Sequence, residues 1–476
     1  MKKCKPNPKA NRNISIVLYG IVLLFLCMCV RLGYFIQIES EDVINNSYNS
    51  ARLNLFESRV VRGKILAEDG TILAETVVGE DGSETRVYPY NDLYAHVLGY
   101  SSLGKSGIES LANYYLLSSH TNPLAKVVKQ LADEKNVGDN VITTLNPVMQ
   151  SVAFDALGDR KGAVIALEPD TGKILAMVSK PAFNPNQINE QWESLINGDQ
   201  AEALLLNRAT QGLYPPGSTF KIITALQYMR EHPGAYNEYR FECDGILEFT
   251  NFKIRCYHQN AHGTEDFTEA FANSCNGSFA SLGQEMDLNG LYALSEQLLF
   301  NQEQPLSLPY NKSEYQMKSG AEQWEIAQTV IGQGSTLMTP MHNLLLVSSV
   351  ANGGILMKPY LIERVENAEG EPVKKFMPEQ YGELMVANEA KALNDLLEQV
   401  VTEGTGSAIR TDNYSAAGKT GSAEFEKNRE THAWFVGYAP AEQPQIAVCV
   451  LVEEGGSGGQ VAAPIARKLF DAYLVP

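Results

Sequence analysis

Residues 214–221 read Tyr-Pro-Pro-Gly-Ser-Thr-Phe-Lys and run on into the apolar positions Ile222, Ile223, Ala225 and Leu226. Proline and glycine end one segment, and Ser218 opens a helix expected over residues 218–230. On that helix Ser218 and Lys221 are three apart and share a face. A serine hydroxyl is a poor nucleophile until a base removes its proton, and a lysine does so only when burial or a nearby cation lowers its pKa. Lys221 is placed to be that base. Alone the pattern is weak, because a chain of this length holds about one or two such spacings by chance. A helix-capping serine beside an exposed lysine is the ordinary alternative.

Two further elements remove that ambiguity. Ser274, Cys275 and Asn276 follow the apolar stretch 267–271, and a hydroxyl and a carboxamide two residues apart can face one cleft. Gly418, Lys419, Thr420, Gly421 and Ser422 form a strand of small residues leading to Ala423 and Glu424. There Lys419 offers a charge for a substrate carboxylate and Thr420 a hydroxyl, while Gly421 lets a substrate backbone come close. The order SxxK, SxN, KTG, at separations of roughly 55 and 145 residues, is the signature of penicillin-recognising serine enzymes.

Around these motifs the chain resembles the class B, monofunctional penicillin-binding proteins along nearly its whole length. Arg62–Gly63 with Asp69–Gly70, residues 207–210 (Asn-Arg-Ala-Thr), 331–334 (Ile-Gly-Gln-Gly), Thr339–Pro340, 351–354 (Ala-Asn-Gly-Gly) and 432–440 are similar to that family's landmarks. The resemblance implies an α+β penicillin-binding/transpeptidase fold, an antiparallel sheet flanked by helices. It also implies D,D-transpeptidation of peptidoglycan with no cofactor required. Ser218 would attack the penultimate D-alanine carbonyl of a stem peptide, release the terminal D-alanine and form an acyl-enzyme that a second stem's amine resolves. Lys221 would be the general base, and Ser274 and Asn276 would relay the proton and hold the substrate amide. Lys419 and Thr420 would clamp the carboxylate, and the backbone N–H groups of Ser218 and Ser422 would hold the oxyanion. By the same resemblance β-lactams acylate Ser218, the glycan substrate is lipid-linked, and the partner is a SEDS-type membrane glycosyltransferase.

Outward from the motifs, alternating strands at 433–438 and 445–452, a hairpin at 162–167 and 173–178, and helices at 344–351, 390–401 and 462–473 describe an α+β domain expected over 141–476. Asn146 and Pro147 mark a helix start near its beginning. Residues 39–140 read as a small β-containing pedestal, with an Asp69–Gly70 hairpin and a short helix over 108–116. Lys2, Lys3, Lys5, Lys9 and Arg12 precede an apolar or small run of 17 residues from Ile14 to Val30, which resumes beyond Arg31 at Leu32, Tyr34, Phe35, Ile36 and Ile38. No small-x-small cleavage site follows. A transmembrane anchor over 13–38 is therefore expected, with residues 1–12 in the cytoplasm and the catalytic bulk outside.

A net charge of −18 argues against nucleic acid as a partner, since phosphate contacts need clustered Lys and Arg. About 100 residues between anchor and main domain leave no room for a glycosyltransferase domain, and twelve cytoplasmic residues for no signalling module. A serine β-lactamase shares the motifs but needs an activated water, and no ExxxN-type loop is visible. A non-catalytic scaffold for a glycan polymerase predicts a damaged motif, and none is damaged.

Of seven cysteines, Cys4, Cys27 and Cys29 fall in the cytoplasmic segment and anchor, and Cys449 alternates into a strand core. Cys243 and Cys256, flanking a hairpin in an oxidising compartment, read by default as a disulfide. The competing reading joins both to His262 and Cys275 as a closed Cys3His structural zinc set, which the resemblance to elongation-type relatives also implies. A third leaves His262 capping a turn and Cys275 a small core residue.

Overall fold

The computed structural model describes residues 8–35, 60–122, 134–198, 202–426 and 428–475, with isolated positions between 126 and 132. Lys2, Lys3, Lys5 and Cys4, the end of the expected anchor (Ile36 and Ile38) and the first part of the expected pedestal, 39–59, lie outside the described residues.

Five strands form the central sheet in the order Ala417–Ala423, His432–Ala439, Ile446–Val452, Gly162–Leu167, Ile174–Lys180, every neighbouring pair antiparallel. Helices cover both faces, so the inner strands are buried on both sides rather than alternating apolar with polar. On the strand His432–Ala439, Ala433, Phe435 and Ala439 join one core with the helices Pro147–Leu157 and Ala463–Leu474. Trp434, Val436 and Tyr438 point the other way, into the larger core that holds the helices Lys221–Glu231 and Pro340–Ala351. Cys449 is fully buried in that core, as its alternation predicts. The helix after Asn146 starts where the sequence puts it, with the Asn146 side chain accepting from Met149 N at 2.9 Å and Pro147 in the first turn. One strand of small residues, Ala417–Ala423, lies at the sheet edge, and the cleft opens along it.

The pedestal differs from its sequence reading in two ways. The expected helix over 108–116 is broken into Gly107–Leu111 and Asn113–Leu116, because Ala112 leaves helical geometry at φ −96°, ψ 8°. More consequentially, the pedestal sheet is six-stranded and runs Pro372–Lys375, Ile362–Glu366, Asn140–Thr143, Ile65–Leu66, Ile72–Val78, Glu84–Val87. Three of its strands thus come from at or beyond residue 140, two of them after the Pro340–Ala351 helix. Glu109 is buried beneath it between Arg62 and Arg86, at 2.6 and 2.7 Å.

At the amino end a single helix runs Pro8–Tyr34, and its apolar Ser15–Tyr34 stretch of 20 residues is not buried by any of the described residues. Twenty helical residues rise about 30 Å, the thickness of a bilayer's hydrocarbon core.

Candidate active site

The segment carrying Ser218 is a 3-10 turn, Gly217–Phe220, feeding the helix Lys221–Glu231, rather than one continuous helix from Ser218. The turn is tight because Gly217 adopts φ +53° and its N–H donates to Gly332 O at 2.8 Å. A Cβ on Gly332 would lie 2.0 Å from Gly217 O, so the Ile-Gly-Gln-Gly loop closes on the Gly217–Phe220 turn only with glycine there. Upstream, Arg208 and the Tyr214 hydroxyl both donate to Glu453 Oε1 at 2.7 Å, pinning the approach to the turn against the sheet. Trp434 Nε1 donates to Pro215 O at 3.1 Å from below.

Ser218 is half-buried and lines a cleft of about 940 Å³ together with Ser274, Asn276, Thr420, Gly421 and Ser422. All three motifs therefore converge on one opening. Lys221 is fully buried. Its ammonium donates to Ser274 O at 2.6 Å, Ser274 Oγ at 3.2 Å and Asn276 Oδ1 at 2.8 Å. Burial drives its pKa down to about 8, against a smaller upward pull from the thiols of Cys275 and Cys256 and from Glu265. Lys419 is also fully buried; its ammonium donates to Thr420 O at 3.3 Å, and burial followed by the charge of Lys221 holds it well below the usual lysine value.

Ser274 stands at φ +57°, a left-handed conformation that favours glycine, at the corner between the helices Phe267–Ala272 and Asn276–Glu285. That corner turns Ser274 into the cleft and buries Cys275. Asn276 is held from its other side, its Nδ2 donating to Arg255 O at 2.9 Å. Gly421 has a packing reason as well as a substrate-facing one: a Cβ there would come within 3.2 Å of Pro216 O, Thr219 Cγ2 and Trp434 Cβ. The glycine lets the turn that carries Ser218 lie directly on the strand. The Ser422 hydroxyl accepts from Gly458 N at 3.2 Å, tying that strand to the turn before the last helix.

The expected Cys243–Cys256 disulfide is not formed. Both cysteines are free, with sulfurs 3.7 Å apart against the roughly 2.05 Å of a bond, and Cys275 and His262 cluster with them. Cys256 and Cys275 sulfurs are 3.8 Å apart, Cys243 Sγ and His262 Nδ1 are 3.4 Å apart, and all four donor atoms lie within 4.8 Å of one another. Four ligands in a tetrahedron at about 2.3 Å for sulfur and 2.0–2.1 Å for nitrogen require separations of about 3.5–3.8 Å. The donor set fits a zinc ion.

Sequence reasoning missed Thr405, whose hydroxyl lies 2.6 Å from that of Thr420. The Gly-Thr-Gly at 404–406, following an amphipathic helix, was the available signal.

Residues 162–471 match the family described as penicillin binding protein transpeptidase domain, and residues 62–141 the penicillin binding protein A dimerisation domain. The chain belongs to the penicillin-binding protein transpeptidase family, among its class B members. Among its relatives is the peptidoglycan D,D-transpeptidase PbpA of Mycolicibacterium smegmatis, 32% identical over 97% of this chain and 98% of that one. The Mycobacterium tuberculosis protein of the same name is 30% identical over 97% and 98%. Among solved structures, penicillin-binding protein A from M. tuberculosis as its imipenem acyl-enzyme complex superposes with a TM-score of 0.79 at 30% identity, over 88% of this chain and 99% of that one. A D,D-transpeptidase domain from Eggerthella lenta gives 0.78 at 34% identity, over 87% and 98%.

Proposed function

We propose that the chain cross-links peptidoglycan as a serine D,D-transpeptidase, with Ser218 as nucleophile and Lys221 as general base. The observation that carries this reading is the buried Lys221 amine, brought down to about 8 and hydrogen-bonded to Ser274 and Asn276, which line one cleft with Ser218, three residues before it. In its neutral form the amine takes the Ser218 proton as Oγ bonds to the penultimate D-alanine carbonyl carbon. The N–H groups of Ser218 and Ser422 hold the oxygen that becomes negative. As the C–N bond breaks, the proton passes by way of Lys221 and Ser274 to the departing D-alanine nitrogen. The acceptor stem's amine then attacks the ester, giving up a proton to the same base, and Ser218 Oγ regains its hydrogen. Lys419 and Thr420 receive the substrate's terminal carboxylate, and Asn276 the donor amide. β-Lactams acylate the same serine.

The cysteine cluster is read as a structural zinc site held by Cys243, Cys256, His262 and Cys275. Four protein ligands leave no open position, so the ion would supply cross-linking of the fold and no step of the chemistry. Its ligands come from the strand Arg240–Cys243, the segments after Arg255 and before Gly263, and the residue next to Ser274. It would brace the corner that aims Ser274 and Asn276.

Residues 1–12 are read as cytoplasmic, 13–38 as an anchor, 39–140 as a pedestal whose sheet the strands Ile362–Glu366 and Pro372–Lys375 complete, and the rest of 141–476 as the catalytic domain, outside the membrane. The unpacked Ser15–Tyr34 helix, with its basic flank, supports this orientation. A SEDS-type polymerase in the membrane would meet the anchor and pedestal. Incubating the full chain with a polymerised, pentapeptide-bearing glycan tests the activity, with D-alanine release and cross-linked dimers both expected. Release of D-alanine without dimers would reduce the protein to a hydrolase.

A further inference from the structure

The Thr420 hydroxyl has one hydrogen-bond partner among the described residues, the hydroxyl of Thr405 at 2.6 Å. Thr420 is buried and Thr405 exposed, and both line the cleft. Thr405 belongs to the short link between the helix Ala387–Thr402 and the turn Ser407–Ile409. Backbone contacts hold that link. Thr405 N donates to Ala272 O at 3.2 Å, two residues before Ser274, and Gly406 N donates to Val400 O at 2.8 Å. A Cβ on Gly404 would sit 2.2 Å from Ala272 O, and one on Gly459 would sit 2.5 Å from Thr405 O. The residue is thus wedged between the wall that carries Ser274 and the turn before the last helix. A threonine present only to close the loop would spend its hydroxyl on the backbone; this one spends it on Thr420.

Two hydroxyls at this distance share one proton: one donates, and the one that accepts keeps its own proton free to turn elsewhere. The free proton decides what the cleft offers an anion, because a hydrogen bond from a hydroxyl to a carboxylate is among the stronger ones. We propose that Thr405 is a positioning residue for carboxylate recognition: its hydroxyl donates to Thr420 Oγ1, which leaves the Thr420 proton aimed at the substrate's terminal carboxylate beside Lys419. This rests on the transpeptidase reading above.

The test compares acylation of the full chain by benzylpenicillin, which carries the carboxylate, and by its methyl ester, which does not, following the adduct by intact mass. Thr405→Val should slow the acid by about tenfold and leave the ester unchanged, and Thr405→Ser should restore the acid's rate. Should the valine variant not fold, Thr405→Ala is read in the same way. An unchanged rate with the acid, or an equal loss with acid and ester, overturns the inference while leaving Ser218 and Lys221 in place. A wild-type chain that neither compound acylates removes the transpeptidase reading and this inference with it.

Discussion

Lys221 Nζ and Asn276 Oδ1 are 2.8 Å apart across 55 residues of sequence, and that contact joins the first motif to the second. The carboxamide accepts from the ammonium without adding charge, so burial outweighs the weaker pull of Cys275, Cys256 and Glu265 and the amine is brought to about 8.

A pH profile follows from that value. The base is the neutral amine, whose fraction grows as pH rises through about 8, so acylation by penicillin should climb through that range and level off above it. At pH 6 the rate should be lower by about a hundredfold. Asn276→Asp places a negative charge on the ammonium, favours its protonated form and should move the midpoint to higher pH. An unmoved midpoint would assign the titration to another group.

Protein purified without chelator should carry about one zinc per chain, measured by elemental analysis. Cys243→Ser should lose it and lower the melting temperature, by about 2–4 °C for each kcal/mol lost. A metal-free protein of unchanged stability would show that the four side chains merely pack together.

Gly421→Ala should destabilise the fold by about 1–3 kcal/mol, the usual cost of overpacking, and slow acylation as the nucleophile turn lifts from the strand. Denaturant unfolding and the adduct rate read the two effects separately. A stable variant acylated at the normal rate would mean the turn yields without strain.

Glu109→Gln should cost about 3–5 kcal/mol by leaving two guanidiniums short of a charge, yet spare acylation of the folded fraction. Burial alone would raise the Glu109 carboxyl, but Arg62 and Arg86 outweigh it and hold it below the ordinary range. Its contribution is therefore present above the unfolded carboxyl's pKa and lost as pH falls through the lower, folded value. Melting curves from pH 7 into that acidic range should converge for wild type and variant.

Much of the site was legible because its signals are local. Ser218 and Lys221 are one turn apart, the Ser274–Asn276 corner is three residues, and the strand Ala417–Ala423 carries its lysine, threonine and glycine in a row. Local patterns say little about which strands meet. Nothing near residues 362–375 announces that they complete a sheet begun at Ile65, some 300 residues earlier. The thiols show the same limit: the sequence left Cys243 and Cys256 open between a disulfide and a set shared with His262 and Cys275, and only the fold brings all four donor atoms within 4.8 Å of one another. Thr405 escaped because its partner, Thr420, is reached through space, and the Gly-Thr-Gly at 404–406 belongs to none of the three motifs.

The central claim is that Ser218 becomes the ester in a long-lived acyl-enzyme. Intact mass of the full chain and of Ser218→Ala, followed for hours after penicillin is added, measures it directly. One persistent adduct in the wild type and none in the variant is the predicted result; an adduct that survives the substitution, or one that turns over rapidly, would contradict it.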